Sequence, residues 1–294
     1  MPVPPETAVR HRVDRCPGVT RPWAAEDGAL VRIRLVGGRV DTAALGALVD
    51  LSAEHADGDL HLTSRANLQL RGIRYDDRRL PDGLAAGVAA AGLLPSVSHE
   101  LVRNIMVSPL SGRAGGRADL FPVAEELDRL LLADAGCASL AGRFLFVLDD
   151  GRGDLRDRTA DLAAVALDAG SAQVRAGTDQ WGPVLPLDVV AGTLHLLARR
   201  FLARRGDDPS TAWHVDELTE PVLPPAPRDP RTHAQAGPPP YGRSRQDDGR
   251  RLEHVEVPDG VLTPALAADV LARAAGEVVV TPWRSLLLVD LEDR

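Results

Sequence analysis

The chain has 294 residues, 44% of them hydrophobic, with a formal net charge of −8; it is long enough to bury a core and divide into two or three domains, and too acidic for non-specific nucleic-acid binding, which needs an extended basic surface. All 34 basic residues are arginine, which removes Walker-type phosphate binding and Schiff-base chemistry, both of which need a lysine. The two cysteines, Cys16 and Cys137, exclude a disulfide framework and cannot by themselves supply four thiolates to zinc or to an iron–sulfur cluster. In chain order, Met1 to Arg15 lacks the apolar stretch of a signal peptide. Ala29 to Leu35 then alternates as a strand with arginines on one face and runs into the turn Gly37-Gly38. Thr42 to His55 carries Leu45, Leu48, Val49 and Leu51 at helical spacing behind Thr42, taken as its N-cap. Asp59 to Thr63 and Leu68 to Ile73 form two short strands around Ser64-Arg65-Ala66-Asn67, which completes a β-α-β-β unit.

A second kind of module follows. It opens with a helix at Asp82 to Ala91 and the segment Ser98 to Ile105, and continues with a helix at Ala124 to Ala133. Strands at Arg143 to Leu148 and Asp161 to Leu167 and a long amphipathic helix at Leu187 to Arg204 complete it. The longest uncharged apolar run, Leu84 to Leu94, falls far short of the roughly 18 residues a membrane span needs, and the expected location is cytoplasmic, with no membrane partner. Pro221 to Gly249 is proline-rich and reads as a linker over the surface. The first order of elements then returns. A strand at Leu252 to Val257, the turn Pro258-Asp259-Gly260, a Thr263-capped helix to Ala275, and strands at Glu277 to Thr281 and Ser285 to Leu291 repeat the opening unit. Thr42-Ala43-Ala44-Leu45 is echoed by Thr263-Pro264-Ala265-Leu266, and the Leu62 to Arg65 hairpin by Val280 to Arg284, with Trp283-Arg284 standing for Ser64-Arg65. Chance rarely reproduces turn, cap and hairpin in order, so the chain is an internal duplication. The modules are 1–78, 79–220, the linker 221–249, and 250–294.

Several motifs read as structural. Asp149-Asp150-Gly151-Arg152-Gly153-Asp154 lies between two strand patterns, where Asp-Gly makes a hairpin turn, and lacks the spaced ligands of a calcium loop. His61 and His195 belong to no pair at metal-ligand spacing and are packed or surface residues. Both cysteines read as inert thiols, and the glycines of Ser111 to Gly116 as a flexible loop. The arginines are the better candidates, because a guanidinium fork binds carboxylates in paired, charge-assisted bonds. Arg32 and Arg34 share a strand face, Arg65 and Arg71 lie on or beside the next hairpin, and Arg103-Asn104 and Arg143 come from strand-like segments of the second module.

Arg-Ile-Arg-Leu-Val-Gly-Gly at 32–38, Leu-Thr-Ser-Arg-Ala-Asn-Leu-Gln-Leu-Arg-Gly-Ile at 62–73 and Val-Arg-Asn-Ile-Met-Val-Ser-Pro at 102–109 resemble the signature of the nitrite/sulfite reductase superfamily. The resemblance implies an α+β fold with duplicated ferredoxin-like β-α-β-β half-domains flanking one reductase-type α+β domain, around a tetrapyrrole site. Within it, Cys16-Pro17-Gly18 and the run Gly142 to Asp154 look most like the precorrin-3B synthase family of aerobic cobalamin biosynthesis. That implies an oxidoreductase that hydroxylates and lactonises precorrin-3A with oxygen, using an iron–sulfur cluster and a further iron. In sulfite reductases two arginines and two lysines surround the small anion; Arg34 and Arg103 match the arginines, while Arg143 and Leu145 stand at the lysine positions. One cation is thus missing for a doubly charged small anion, which leaves a site for a larger carboxylated macrocycle. The same carry-over assigns Arg65, Gln69 and Arg71 to tetrapyrrole carboxylates, with Asn104 beside Arg103.

Family members carry two pairs of cluster cysteines beyond the second half-domain, and this chain, ending at Arg294, has none there. No cofactor is therefore supported by the chain alone. The cluster with its iron, or siroheme, would come with a missing domain, supplied by a partner polypeptide or lost. Three functions follow: a precorrin-3B synthase completed in that way, a non-catalytic carrier of a tetrapyrrole or a siroheme-type nitrite/sulfite reductase fragment, and a remnant exposing an apolar face.

Overall fold

The computed structural model describes residues 14–76, 79–206 and 212–292. Most of the Met1 to Arg15 segment, the boundary between the first two expected modules at 78 and 79, and the terminal Arg294 lie outside them. The first unit comprises β1 (Trp23–Ala25), β2 (Gly28–Ile33), β3 (Arg39–Asp41), α1 (Thr42–His55), β4 (Leu60–Leu62) and β5 (Leu68–Ile73). α2 (Leu84–Ala90), expected to open the second unit, packs instead on α1 with Leu84 and Val88 in the half-domain core; the second unit comprises β6 (Ile105–Val107), α3 (Phe121–Ala133), β7 (Phe146–Asp149), β8 (Leu162–Asp168), β9 (Ser171–Ala176), β10 (Gln180–Pro186) and α4 (Leu187–Arg205). The last comprises β11 (Gly242–Arg245), β12 (Arg251–Val255), β13 (Val261–Leu262), α5 (Pro264–Arg273), β14 (Glu277–Val280) and β15 (Leu286–Leu291). The fold is α+β, as the resemblance implies.

The two outer units are joined by an exchange of strands. The first sheet runs β1-β2-β5-β4-β13 and the third runs β11-β12-β15-β14-β3, so each copy lends its short strand to the other. Val261 and Leu262 pair with His61 and Leu60, while Arg39 to Asp41 pair with Val279 to Glu277. Backbone polar groups must be satisfied, and here each copy completes the other's sheet edge. One apolar core follows, in which Ile33, Leu48 and Leu70 of the first copy pack with Val270, Val280 and Leu288 of the second.

The exchange depends on the loops before β3 and β13. Gly37 and Gly38 have φ of 62° and 77°, and Asp259 and Gly260 have 55° and 73°, so the two copies make the same left-handed turn. At Gly38 a Cβ would run into the carbonyl oxygen of Val280, which explains why only glycine fits there. The match aligns Asp41 with Thr263, and both are the N-caps, accepting from Ala43 N and Leu266 N. Thr42 is the first helical residue rather than the cap, because Asp41 supplies the free side-chain oxygen one residue earlier.

The central sheet runs β10-β9-β8-β7-β6. One face carries α3 and α4 over a core that includes Phe144, Phe146 and Phe201. β7 and β8 are parallel, so the Asp149 to Asp154 segment is not a hairpin turn but the start of a crossover; parallel neighbours cannot be joined by a tight turn. β9 and β10 have no counterpart in the sequence reading, since Gly182 and Pro183 break the strand pattern and a register shift lies between Trp181 and Val184. Arg143 and Arg103-Asn104 lie in turns beside the strands rather than in them. The proline-rich segment is more than a surface linker: Val222 and Leu223 are buried, and Gln173 donates to Pro227 O while accepting from Asp229 N. Among the described residues no helix is long and apolar enough to cross a membrane.

Candidate anion cleft

Arg32 and Arg34 project from the end of β2 on the face opposite the half-domain core. Over them lies the segment Cys16-Pro17-Gly18, held by two acids. Asp14 accepts from Cys16 N at 3.0 Å and Gly142 N at 2.5 Å, and buried Glu100 accepts from Val19 N and from Thr20 N at 2.9 Å. Arg34 donates through Nη1 to Pro17 O at 3.2 Å. Its Nε and Nη2, although buried, have no partner. Across the sheet, Arg32 faces Gln69 and donates to its Oε1 at 3.0 Å, while its Nε is also unpartnered.

The hairpin between β4 and β5 adds Arg65, whose Nη1 donates to Arg143 O at 2.8 Å. Arg32, Thr63, Ser64, Arg65, Arg143 and Trp213 line a cleft of about 470 Å³ with Cys16 at its wall. A second recess of about 630 Å³ shares Arg32, Thr63 and Ser64 and reaches Gln69, Trp283 and Arg284. None of Arg32, Arg34, Arg65 and Arg143 is in an ion pair with a carboxylate among the described residues. Burial lowers the affinity of Arg32, Arg34 and Arg65 for their protons, that of Arg34 to about 10. The cleft thus holds half-buried guanidinium groups with no direct carboxylate partner, balanced only at a distance by Asp14, Glu100 and Asp161, and an anion would complete it.

The structure separates the sequence-derived residues. Arg65 and Arg143 line the cleft and Gln69 the recess that continues from it, whereas Arg34, beneath Pro17, lines a separate recess. Arg71 does not: its guanidinium pairs with Asp27 at 3.1 Å at the exposed end of the sheet. Arg103 is held by Asp128, with bonds of 2.6 and 2.9 Å, and lines a smaller recess with Arg34, Arg39 and Glu277. Asn104 donates to Leu101 O and Gly142 O and so shapes the loop below Arg143. Leu145 is buried in the reductase-type domain. Missing from the assigned set were Arg32, whose alternation with Arg34 marked the strand face, and Asp14, Trp213 and Trp283, which no spacing connects to it.

Two further clusters hold carboxylates with possible metal ligands, namely Asp134, Cys137 and His195, and Asp149, Asp150 and Asp154. Both are already occupied by the chain's own cations. Asp134 takes His195 at 2.8 Å and Arg199 at 2.6 Å, and Arg152 bridges Asp150 and Asp154 at 2.9 and 3.3 Å. His61 pairs with Asp57. Burial, with Asp14 and Asp134 beside them, raises the thiol pKa of Cys16 and takes that of Cys137 to about 12. Both remain neutral thiols, one in the cleft wall and one in the core. They do not form a thiolate set for an iron–sulfur cluster.

The hairpins of the two copies are conformational twins. Thr63 N bonds Asn67 O and Thr281 N bonds Ser285 O, both at 2.9 Å, and Ala66 and Arg284 share a positive φ of 56° and 61°. Ser64 therefore corresponds to Pro282, and Arg65 to Trp283, one residue away from the pairing that the sequence motif implies. Continuing the alignment, Arg32 corresponds to His254 and Gln69 to Leu287. In the second copy that face is closed by the chain itself. His254 contacts Ser285 Oγ at 2.6 Å and Pro239 O at 2.8 Å, and Tyr241 lies on its ring at 4.6 Å. Only the first copy offers an open cationic cleft.

The duplicated half-domain and the fold are similar to those of the nitrite/sulfite reductase superfamily, and comparison with known proteins points the same way. Residues 24–79 match the family model of the nitrite/sulfite reductase ferredoxin-like half domain, so the first unit is similar to that half domain. The chain is 32% identical over 173 residues to a precorrin-3B synthase of Sinorhizobium sp, a match covering 57% of this chain and 36% of that protein. It also shares the fold of the Mycobacterium tuberculosis NirA protein, with a TM-score of 0.70 at 19% identity over 97% of this chain and 58% of the other. The chain thus spans about a third of the curated relative and over half of the solved one.

Proposed function

We propose that the chain holds a polycarboxylated tetrapyrrole, as the substrate-binding part of a precorrin-3B synthase-like oxidoreductase of aerobic cobalamin biosynthesis. The observation that carries this is the pair Arg32 and Arg65, half-buried in one cleft and without a direct carboxylate partner among the described residues. Isolated guanidinium donors in such a site are complemented by carboxylates with charge-assisted bonds worth about 1.5–3 kcal/mol each. The similarity to precorrin-3B synthase supports a macrocycle over a small inorganic anion, and two site features favour the same choice. Arg103 is neutralised by Asp128, and Leu145 brings no charge, so the cations that would clamp a doubly charged small anion are depleted.

The chain's own residues bind and orient. Arg32 and Arg65 meet peripheral carboxylates, Gln69 aligns Arg32, and Asp14 and Glu100 hold the segment that covers Arg34. The redox step of such an enzyme needs an electron carrier that the two thiols of this chain do not build.

Fluorescence titration of the protein with uroporphyrin III, an octacarboxylate tetrapyrrole, tests this reading. The wild type should bind in the micromolar range or tighter, with affinity falling as salt rises, and Arg32→Ala and Arg65→Ala should each weaken binding by about 10- to 100-fold. Absence of binding by the wild type, or wild-type affinity in both variants, would overturn it. Sulfite or nitrite competing for the same site at similar affinity would favour the siroheme-type reductase reading instead.

A further inference from the structure

Trp283 stands at the hairpin position that Arg65 fills in the first copy, and its environment gives it a role of its own. Arg158, from the crossover after β7, donates through Nη1 to Ser64 O at 3.3 Å and through Nη2 to Pro282 O at 3.2 Å. These are equivalent carbonyls of the two hairpins, so one guanidinium ties them side by side and brings Trp283 to the recess that continues from Arg32, Thr63 and Ser64. The other tryptophans with ring contacts are covered by arginines, Trp23 by Arg15 and Trp181 by Arg175 and Arg228. The indole of Trp283 is half-buried and makes no ring or cation–π contact among the described residues. The indole therefore lines the same recess as Arg32 and Arg284, with Arg65 in the adjoining cleft.

This combination fits one ligand shape. A flat conjugated ring gains from stacking on an indole, while acidic side chains at its rim reach arginines beside that plane. A second arginine at this position would add charge and only a small planar group, not the extended apolar face of an indole. Resting on the tetrapyrrole reading above, we propose that Trp283 is the specificity-determining residue of the cleft, stacking on a planar conjugated macrocycle whose carboxylates are taken by Arg32 and Arg65.

Two probes with the same eight carboxylates separate stacking from charge: uroporphyrin III, which is planar and conjugated, and uroporphyrinogen III, which is puckered and has isolated pyrroles. Binding to the full chain would be measured anaerobically for wild type, Trp283→Ala, Trp283→Phe and Arg65→Ala. Trp283→Ala should weaken uroporphyrin by about 5- to 50-fold and uroporphyrinogen by less than twofold. Trp283→Phe should recover part of the loss, and Arg65→Ala should weaken both probes alike. In a Trp213→Phe background, bound uroporphyrin should still quench tryptophan emission, and the further change Trp283→Phe should remove most of that quenching. Unchanged uroporphyrin binding by Trp283→Ala, or an equal loss for both probes, overturns the stacking role while leaving the tetrapyrrole reading intact. Failure of the wild type to bind either probe overturns the tetrapyrrole reading, and the inference with it.

Discussion

Arg65 and Trp283 hold the same place in two hairpins of one design: each donates its backbone N–H to the Oγ1 of the threonine two residues before it, and both bonds are 3.3 Å long. The backbone is conserved between the copies while the side chain differs in kind. The first copy keeps charge and an open face; the second has an aromatic at the hairpin and fills its own face with His254 and Tyr241. Arg65→Ala should therefore affect ligand binding alone, weakening a carboxylated tetrapyrrole by about 1–3 kcal/mol with little change in thermal midpoint. A large drop in that midpoint would show that Arg65 serves the domain junction through Arg143.

Arg103 behaves in the opposite way. The sequence pattern makes it a ligand-binding arginine, but the structure ties it to Asp128, both side chains being largely buried. Arg103→Ala strands the Asp128 carboxylate and should cost about 3–5 kcal/mol of stability, and Arg103→Ala with Asp128→Ala should recover a good part of it. Chemical denaturation of the two variants checks this. A near-neutral single variant would return Arg103 to the candidate ligand contacts.

Gly38 is the tightest point of the strand exchange. With φ of 77° and the Val280 carbonyl against its Cα, Gly38→Ala combines backbone strain with a main-chain clash. A loss of about 3 kcal/mol or more is expected. Gly58→Ala is the comparison, since Gly58 has a similar φ of 91° and open space around it, so only strain of about 1–2 kcal/mol applies. Equal losses would mean that the contact with β14 contributes nothing.

Stability should also fall with rising pH on the acid side. Burial takes the Asp154 carboxyl up to about 6, against the pull of Arg152 and Ser108, and raises those of Asp150 and Asp161 as well. In the unfolded chain these groups titrate near 3.9. Between those values the folded state holds more protons than the unfolded one, so Asp154 and Asp161 lower stability as pH climbs from about 4 to about 6, with Asp150 acting in the same direction. Asp154→Asn should gain on the wild type by about 1–2 kcal/mol between pH 4.5 and pH 7. A difference between the two proteins that does not change with pH would refute this.

The sequence by itself determined the periodic elements and their repetition. Alternation along residues 29–35, helical spacing along 42–55 and the return of turn, helix and hairpin after residue 250 are local properties of the chain, and the structure reproduces them. The arginine face of β2 was legible for the same reason, since a period of two puts Arg32 and Arg34 on one side. What depends on distant partners was decided only in three dimensions. Two- and three-residue strands such as β3 and β13 have no pattern of their own and exist because the other copy offers an edge. The direction of β7 against β8 follows from the crossover packing, not from the Asp-Gly residues between them. The same holds for the site: Asp27, Asp128 and the hairpin of the second copy lie far from Arg71, Arg103 and Arg65 in the chain. Which arginines are neutralised and which lack a carboxylate partner is therefore a property of the folded arrangement, and it leaves Arg32, Arg65 and Arg143 as the cationic side of the cleft.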